Sequence, residues 1–454
     1  MTGASTATYA PVTTGERVIV LGLGVAGKAV IRALRARSID VTAIEDRSTE
    51  QTRLFASSHG CVLLEAPTTV ELSKAFAGAV GFIPSPGVPE HHPAFGIARE
   101  LGLRTLSEFD LASWWDDRPV AAITGTDGKT SVTLLTVAML NASGVTTTDV
   151  GNTDVPFVEA INDPTLDAFV VEASSFRLGH SEHFAPKAAA WLNFSPDHLD
   201  VHSTLEGYEA AKAKIWSSLP ENGLAVAPTD DDVVRSHLPA DRRSVLVGLT
   251  EANGATAFVR DGHMIVDDTT IGAVADLPRT FDHDITNTMV AAALALELGA
   301  TVAGIQTAIA SYELPPHRIQ HIATANGVSY YNDSKATVPH AVVTAVNSFP
   351  SVILIAGGRN KDLDLGELRD VSERTRAVVA MGDAAEEIES AFDGVTPVER
   401  AVDMDDALQR AAALAKPGDT VLLSPGCTSF DSYPNYGARG DDFIRAVHDL
   451  LETP

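Results

Sequence analysis

The sequence predicts an α/β protein built from three domains. Short apolar, β-branched runs alternate with amphipathic helical stretches along nearly the whole chain, a pattern typical of mostly parallel sheets. The length of 454 residues exceeds what one hydrophobic core normally supports and corresponds to about three domains of roughly 150 residues. Charged and proline-containing breaks place the domains at residues 1–117, 118–313 and 314–454.

The composition disfavours several classes of partner. The chain has 33 Lys and Arg residues against 60 Asp and Glu residues, a formal net charge of −27. Such an acidic protein is unsuited to general binding of nucleic acid or anionic membranes, so we expect neither partner. Cys61 and Cys427 match no metal-binding spacing, as expected in a reducing compartment. We find no signal-peptide pattern and no apolar run of about 20 residues, and we expect a cytoplasmic monomer.

The first domain begins with a strand that runs into a glycine-rich turn. The apolar run RVIVL precedes GLGVAG, whose glycines are Gly22, Gly24 and Gly27, and a helical stretch follows. Such glycines let backbone N–H groups approach a phosphate, while Glu45 at the end of the next strand can bind ribose hydroxyls. This predicts a Rossmann-like domain for NAD or a nucleotide sugar. The alternative is a turn whose glycines serve only close packing.

The second domain begins with the strand VAAIT and the loop TGTDGKTS, followed by a helical stretch. The loop's glycines expose N–H groups, its lysine neutralises phosphate charge and the next threonine can ligate Mg²⁺. A usual phosphate loop has a glycine where Ile123 stands, so this loop is short. It predicts a P-loop ATPase-type parallel sheet, the alternative being a turn with a surface lysine. The predicted phosphate-binding residues are Gly125, Thr126, Asp127, Gly128, Lys129, Thr130 and Ser131.

Polar residues follow two further apolar strands of this domain. They are Glu172 after FVV, and Asn193, Asp197, His198 and Asp200 after AAAW. The carboxyl ends of parallel strands share one edge, so these groups can converge on the nucleotide. The set is rich in oxygen and has one imidazole, which fits Mg²⁺ or Mn²⁺ better than structural zinc. The alternative for each residue, above all for Asp200 and for His202 at the end of the same segment, is a polar cap of a loop or helix.

The chain resembles the Mur ligases, the ATP-dependent amide-forming family of peptidoglycan assembly, which has a short GTxGKT-type loop. The resemblance implies a UDP-binding Rossmann-like N-terminal domain, a central ATP-binding domain and a Rossmann-like C-terminal domain that binds an amino acid. It rests on motifs that occur in the family's order. They are GLGVAG, SPGV, TGTDGKTS, GNTD, EASSF, NFSPDHLD, YEAAKAKIW, HDITN, LPPHR, NDSKAT, GGRNKD and SPGCTSFD.

The resemblance also implies site residues in the first two domains. Those for the UDP substrate are Gly24, Val25, Ala26, Glu45, Asp46, Arg47, Ser85, Pro86 and Gly87, with Asn152 near the muramoyl-alanine. Those for ATP beyond the loop are Asn287 at the adenine, and Arg318, Asp333 and Lys335. Those for two Mg²⁺ ions are Thr130, Glu172, His198 and a carbamylated Lys212. The implied catalytic residues are Lys129, His198 and Lys212.

Lys212 is interpreted differently without the resemblance. Carbamylation requires a neutral amine, and hence a lysine whose pKa is lowered by burial or neighbouring cations. From the residues alone, Lys212 and Lys214 are expected to be solvated helix lysines. The match of YEAAKAKIW to the family reverses that preference.

For the third domain the resemblance implies an amino-acid site. Its residues are Thr337, Lys361, Ser429, Phe430 and Tyr436. A lysine with hydroxyl and N–H donors suits the two carboxylates of glutamate, although Lys361 could also be an exposed loop lysine. The implied reaction is phosphorylation of the carboxylate of UDP-N-acetylmuramoyl-L-alanine by ATP, followed by attack of the D-glutamate amine.

The chain departs from the family pattern at several positions. Val338 replaces a frequent asparagine, Arg177 stands where glutamine often follows EASSF, and Val25, Ala26 and Glu45 differ from some relatives. These departures concern substrate contacts more than reaction type. The alternatives are a Mur-type ligase for another amino acid, a folylpolyglutamate synthetase, a nicotinamide-dependent oxidoreductase and an inactive nucleotide-binding regulator.

Overall fold

The structure, a computed structural model, describes residues 11–153, 155–198 and 201–452. Parallel strands alternate with helices through most of this length, so the α/β fold class expected from the sequence is confirmed. No helix in the described ranges is long and apolar enough to cross a membrane.

The backbone separates into two compact units, Met1–Tyr312 and Glu313–Pro454. Within the described residues, the first unit contains two sheets and the second unit contains one. The division into three domains, with boundaries after residues 117 and 313, stays a prediction.

The first sheet is parallel and has the strand order β3-β2-β1-β4-β5. Its strands are β1 (Arg17–Leu21), β2 (Asp40–Glu45), β3 (Val62–Glu65), β4 (Gly81–Pro84) and β5 (Arg104–Thr105). Its helices are α1 (Val25–Ala36), α2 (Glu50–Ser58), α3 (Thr69–Phe76), α4 (Pro93–Glu100) and α5 (Glu108–Trp115). The chain changes direction across the sheet between β1 and β4, and doubly wound sheets bind ligands at that point.

Helices cover both faces of this sheet, which explains why β1 is a continuous apolar run. Val18 and Val20 pack with Leu34 of α1 on one face. Ile19 packs with Phe76 of α3 on the other face. Packing on both faces therefore holds β1, whose carboxyl end leads into the glycine turn.

The second sheet has the order β14-β13-β12-β11-β10-β9-β6-β8-β7. Its strands are β6 (Val120–Thr124), β7 (Thr147–Gly151), β8 (Ala168–Glu172), β9 (Ala188–Trp191), β10 (Leu224–Pro228), β11 (Arg243–Val247), β12 (Ala257–Arg260), β13 (His263–Val266) and β14 (Thr269–Ala273). Its helices are α6 (Lys129–Ala142), α7 (Phe157–Ala160), α8 (Ser175–Leu178), α9 (Leu205–Ala213), α10 (Asp232–Ser236), α11 (Asp282–Glu297) and α12 (Val302–Ser311). Short 3₁₀ segments lie at Lys214–Trp216 and Val274–Asp276.

Strand β6 lies between β8 and β9 and is parallel to both. The carboxyl ends of these three strands therefore meet at one edge, as expected for the predicted nucleotide site. On one face, Val132 and Met139 of α6 pack with Met289 of α11 and Ile305 of α12. The far end of the sheet differs from the expected parallel pattern, because β12, β13 and β14 pair antiparallel.

The sheet of the second unit has the order β15-β16-β20-β17-β18-β19. Its strands are β15 (Gln320–Ala325), β16 (Val328–Asn332), β17 (Val352–Gly357), β18 (Thr375–Met381), β19 (Val398–Arg400) and β20 (Thr420–Gly426). Its helices are α13 (Pro339–Asn347), α14 (Ala385–Phe392), α15 (Met404–Leu414) and α16 (Tyr436–Glu452), with a 3₁₀ segment at Leu365–Arg374. Asn326 and Gly327, both at positive φ, form the tight turn that makes β15 antiparallel to β16.

Candidate active site

The glycine turn after β1 lies against the ends of β2 and β4. The backbone N–H of Leu23 donates to Glu45 Oε2 at 2.7 Å, and Ser85 Oγ donates to the Gly22 carbonyl at 2.7 Å. Gly27 lies so close to the turn that a Cβ there would stand 1.9 Å from the Gly22 carbonyl oxygen. The structure thus brings together the three segments predicted to bind UDP, residues 24–26, 45–47 and 85–87.

The space beside the three segments 24–26, 45–47 and 85–87 is partly unoccupied by protein atoms. Gly24 precedes α1, and a Cβ on it would meet no atom within 4 Å. Val25 is 68% exposed, whereas Ala26 is buried. Asp46 contacts His92 at 3.2 Å, and Gly87 has a positive φ. The backbone here leaves room for a ligand at the amino end of α1.

A cavity beside this turn contains a buried ion pair. Its lining includes Gly27, Ser85, Glu108 and Arg177. Arg177 Nε donates to Glu108 Oε1 at 2.7 Å, and both side chains are more than nine-tenths buried. Burial raises the pKa of Glu108, while the charge of Arg177 acts in the opposite direction. Arg177, which departs from the family pattern, is therefore matched by an acidic residue of α5.

The short phosphate loop forms a tight turn between β6 and α6. Gly128 precedes α6 with a φ of 82°, a conformation that favours glycine. Lys129 Nζ donates to the carbonyls of Gly125 and Thr126 at 2.8 and 2.7 Å. The Asn287 side chain lies against the same turn, since a Cβ on Gly128 would be 3.2 Å from Asn287 Oδ1. The predicted adenine and phosphate residues are therefore neighbours.

Asn193, just after β9, fastens this loop. Its Oδ1 accepts the N–H groups of Thr126 and Asp127, each at 2.9 Å, and its Nδ2 donates to the Asp127 carbonyl. Ser195 adds reciprocal bonds between its backbone and Thr126 Oγ1 at 3.0 Å. An anion here would consequently rely on the N–H groups of the first turn of α6, where Thr130 and Ser131 lie, and on the lysine.

Lys212 of α9 is 1% exposed, so the expectation of a solvated lysine is wrong. Its Nζ donates to the carbonyl of Gly125 at 2.6 Å, the same oxygen that accepts from Lys129, and lies over the Tyr208 ring. Burial, and then the charge of Lys129, lower the pKa of Lys212 well below its usual value. Lys214 is also drawn inward and donates to the Gly179 carbonyl.

Glu172, at the end of β8, is buried with one oxygen unsatisfied. Its Oε1 accepts from Asn152 Nδ2 at 2.9 Å. Its Oε2 is buried and has no hydrogen-bond partner among the described residues. Such an orphaned carboxylate oxygen is costly in an apolar interior, and a hard cation would satisfy it. The donor chemistry at Glu172 therefore fits the predicted magnesium.

The Asn152 side chain joins Glu172 to the buried ion pair. While its Nδ2 donates to Glu172, its Oδ1 accepts from Arg177 Nη1 at 3.1 Å. A continuous chain of hydrogen bonds therefore runs from Glu108 through Arg177 and Asn152 to Glu172.

The histidines after β9 have different surroundings. His198, at a φ of 57°, contacts Asp197 at 3.2 Å and lies edge-on to Phe176. His202 is buried and contacts Glu90 at 3.0 Å and Ser175 at 2.9 Å. The interpretation of His202 as a polar cap therefore agrees with its contacts.

The predicted metal ligands remain a prediction as a set. Asp200 lies outside the described residues. Among the described residues, no group of three or more His, Cys, Asp or Glu side chains is arranged to hold a metal ion. The predicted ligands include only two residues of those types, Glu172 and His198, beside Thr130 and Lys212.

In the second unit, the segment with Arg318 lies against the end of β16. Asp333 Oδ1 accepts from the N–H of Ile319 at 3.1 Å, and Asp333 Oδ2 accepts from Ser424 Oγ at 2.8 Å. The N–H of Lys335 donates to the His317 carbonyl. The structure thus brings the segments of the three predicted ATP residues of this unit together.

The predicted amino-acid residues lie on loops that hydrogen bonds join. Arg359, two residues before Lys361, exchanges two backbone bonds with Thr428, the neighbour of Ser429. The N–H of Gly426 donates to the Ala336 carbonyl, next to Thr337. Ser429 is buried and Lys361 is half-buried. Phe430 is 62% exposed, and Tyr436 begins α16.

Sequence reasoning missed the Glu108 partner of Arg177 and interpreted Asn193 as a possible metal ligand. An acidic residue in the apolar stretch EFDLASWW was a signal for Glu108. The pairing itself links positions 69 residues apart, in α5 and α8, and arises only from the tertiary fold. Asn193 acts on the loop through its amide, a role that residue type alone does not distinguish.

Comparison with known proteins identifies the family of this chain. The chain matches the family models of the Mur ligase middle domain over residues 123–295 and of the Mur ligase, glutamate ligase domain over residues 317–427. The fold and the phosphate loop define an α/β nucleotide-binding protein. The chain belongs to the Mur ligase family, whose members are ATP-dependent amide-forming ligases. The oxidoreductase interpretation of the GLGVAG turn is thereby set aside.

The curated relatives span nearly the full chain. The UDP-N-acetylmuramoylalanine--D-glutamate ligase of Frankia casuarinae is 40% identical over 452 residues, covering 95% of this chain and 94% of the relative. The enzyme of the same name from Desulfosudis oleivorans is 39% identical, covering 97% and 98%. Among solved structures, MurF ligase from Thermotoga maritima in complex with ADP has a TM-score of 0.58 at 19% identity, covering 97% and 96%. The last similarity supports the fold.

Proposed function

We propose that this enzyme uses ATP to join D-glutamate to UDP-N-acetylmuramoyl-L-alanine, a step of peptidoglycan precursor synthesis. The observation that carries the proposal is the nearly full-length similarity, at 40% identity, to a ligase named for these substrates. The glycine turn after β1 supports a nucleotide handle on one substrate. The loop before α6 supports ATP as the other nucleotide. A cytoplasmic location and a monomeric state are part of the proposal.

The reaction makes a poor electrophile reactive. The substrate carboxylate attacks the γ-phosphorus of ATP, the bond to ADP breaks and an acyl phosphate forms. The D-glutamate amine then attacks the acyl carbon, and phosphate leaves from the tetrahedral intermediate. Lys129, already directed over the loop, would move its donors from the carbonyls of Gly125 and Thr126 to phosphate oxygens. The first turn of α6 would orient the phosphates.

Magnesium fits the donors near this loop. Thr130, Glu172, His198 and Lys212 are its proposed ligands. The unpartnered, buried Glu172 Oε2 supports this assignment. When bound, Mg²⁺ would neutralise phosphate charge. Asn152 would keep the Glu172 carboxylate oriented through Oε1.

Lys212 is the proposed site of carbamylation. Its burial and its position beside the loop carbonyl of Gly125 support the proposal, because a lysine kept from water can react with CO₂ as the neutral amine. The product would place a carboxylate-like group at the loop. Nuclear magnetic resonance with isotope-labelled CO₂ tests this. We expect a lysine carbamate signal in the wild type that is lost in Lys212→Ala. A wild type without such a signal would contradict the proposal.

In the second unit, the proposed D-glutamate residues are Thr337, Lys361, Ser429, Phe430 and Tyr436. The bonds between Arg359 and Thr428 support a shared site for the lysine and the serine. Arg318, Asp333 and Lys335 are proposed as ATP ligands, and Asn287 as the adenine contact.

Phosphate release provides the test of this function. We expect release with ATP, Mg²⁺, UDP-N-acetylmuramoyl-L-alanine and D-glutamate, and none when L-glutamate, lysine or diaminopimelate replaces D-glutamate. Lys129→Ala should abolish release while circular dichroism stays unchanged, because the cation on the phosphates is lost. Turnover only with another amino acid would identify a different specificity. ATP binding without any turnover would support the inactive regulator.

A further inference from the structure

Helix α16 carries two arginines in opposite surroundings. Arg445 is about half exposed, and its guanidinium pairs with Asp405, Asp442 and Asp449, each at 2.8 Å. Arg439 is 2% exposed. Within the described part of the chain, Arg439 forms no ion pair with a carboxylate. The charge of Arg439 is thus buried without an anionic partner in contact.

The hydrogen bonds of Arg439 join three loops. Its Nε donates to Ser334 Oγ and its Nη2 to the Ser334 carbonyl, both at 2.9 Å. Its Nη1 donates to the carbonyls of Cys427 at 3.1 Å and Gly357 at 3.5 Å. These residues stand at the carboxyl ends of the adjacent strands β16, β20 and β17. One guanidinium therefore sets the spacing between the three loops.

The same loops carry the proposed ligands for ATP and the amino acid. Lys335 is the next residue after Ser334, Ser429 is two residues after Cys427, and Lys361 is four residues after Gly357. Burial raises the pKa of the Cys427 thiol to about 12, while the positive charges of Arg439 and Lys361 act in the opposite direction. The charges of Glu387 and Asp431 act on the same thiol and raise its pKa. A cavity beside Arg439 is lined by Gly357, Gly358 and Tyr433 among others.

A buried cation with no carboxylate in direct contact has an energetic cost. Carbonyl and hydroxyl oxygens accept from every nitrogen of the Arg439 guanidinium, and burial lowers the Arg439 pKa to about 10 although the charge of the nearby Asp431 acts in the opposite direction. An anion that binds nearby would recover part of that cost. Amino-acid substrates carry at least one carboxylate, which the positive charge of Arg439 would attract.

We propose that Arg439 is a positioning residue of the amino-acid site. It holds the loops after β16, β17 and β20 in place, and its positive charge favours binding of the substrate carboxylate. The inference rests on the proposed ligase function for the nature of the substrate. Arg439 does not need to touch the substrate to act in this way.

Steady-state kinetics of the full chain test the proposal. Arg439→Gln should raise the KM for D-glutamate about tenfold or more, because hydrogen bonds to a charged group and its field are lost, while the KM for UDP-N-acetylmuramoyl-L-alanine should hardly change. Arg439→Lys keeps the charge and should recover part of the loss. Arg445→Gln is the matched control on the same helix, and its kinetics should equal those of the wild type.

An unchanged KM for D-glutamate in folded Arg439→Gln would overturn the proposal, as would an equal increase in Arg445→Gln. An Arg439→Lys variant as impaired as Arg439→Gln would refute the contribution of charge. If Arg439→Gln does not fold, Ser334→Ala removes one acceptor and should still raise this KM. Calorimetric binding of D-glutamate separates the role of Arg439 from the proposed ligase function. If D-glutamate binds in an Arg439-dependent way but the enzyme shows no turnover, only the ligase function is contradicted.

Discussion

At the scale of single residues, the site depends on charged groups removed from water. Lys212, Glu172 and Arg177 are each more than nine-tenths buried. Each has a partner that limits the cost, a loop carbonyl, an amide and a carboxylate respectively, although Oε2 of Glu172 has no hydrogen-bond partner among the described residues. Buried ionic groups of this kind hold a defined geometry when their hydrogen bonds are satisfied.

The pair of Arg177 and Glu108 gives a prediction about stability. Arg177→Gln should destabilise the protein by about 3–5 kcal/mol, because it leaves the Glu108 carboxylate buried without its partner. The double variant with Glu108→Gln should recover much of that loss. Urea denaturation of the single and double variants measures the coupling; additive effects would contradict it.

The same pair has a pH dependence with a defined sign. Burial raises the pKa of Glu108, so the unfolded chain releases this proton first as the pH increases. Stability from this group is therefore present below the unfolded pKa of about 4.3 and is lost as the pH rises through the folded pKa. Arg177→Gln removes the charge that opposes the rise in the Glu108 pKa, so the folded pKa should rise further. The pH interval between the unfolded and the folded pKa, over which stability is lost, should therefore widen. Denaturation of Arg177→Gln at several pH values measures the effect.

At the scale of elements, the turn between β1 and α1 depends on backbone contact. Gly27→Ala places a Cβ 1.9 Å from the Gly22 carbonyl, so α1 must move away from the turn. We expect a loss of about 1–3 kcal/mol in unfolding free energy and weaker binding of the UDP substrate. Thermal denaturation and calorimetry with UDP-N-acetylmuramoyl-L-alanine measure both.

Gly96→Ala in α4 is the matched control for this turn. A Cβ on Gly96 meets no atom within 4 Å, so the variant should be slightly stabilised by about 0.5–1 kcal/mol. Equal stability changes in Gly27→Ala and Gly96→Ala would contradict the importance of close approach at Gly27.

The positions of the main parallel strands were predicted better than the antiparallel strands at the far end of the second sheet. The strands RVIVL, VAAIT and AAAW lie where their apolar runs predict them. The runs are readable because strands covered on both faces need apolar residues throughout. The antiparallel ribbon of β12 to β14 was missed, since its short alternating segments carry a weaker pattern.

At the scale of the whole molecule, the second unit has a sheet and a core of its own. Ile353, Leu423 and Phe443 pack together within it. We expect the isolated fragment 313–454 to fold, because its described strands pair with one another in one sheet. A cooperative thermal transition by circular dichroism checks this, and a fragment without a transition would contradict it. Fragment 334–454, which lacks β15 and β16, exposes the edge of β20 and should aggregate.

The sequence by itself determined the α/β class, the order of the elements, the two glycine turns and, through its ordered motifs, the family. These features depend on local periodicity and on glycines at turns, which neighbouring residues express directly. Only the tertiary structure decided that Lys212 is buried, that Arg177 pairs with Glu108 and that Arg439 joins three loops. Those facts depend on which strand ends the sheet order brings side by side, and that long-range pairing leaves no periodic trace in the chain.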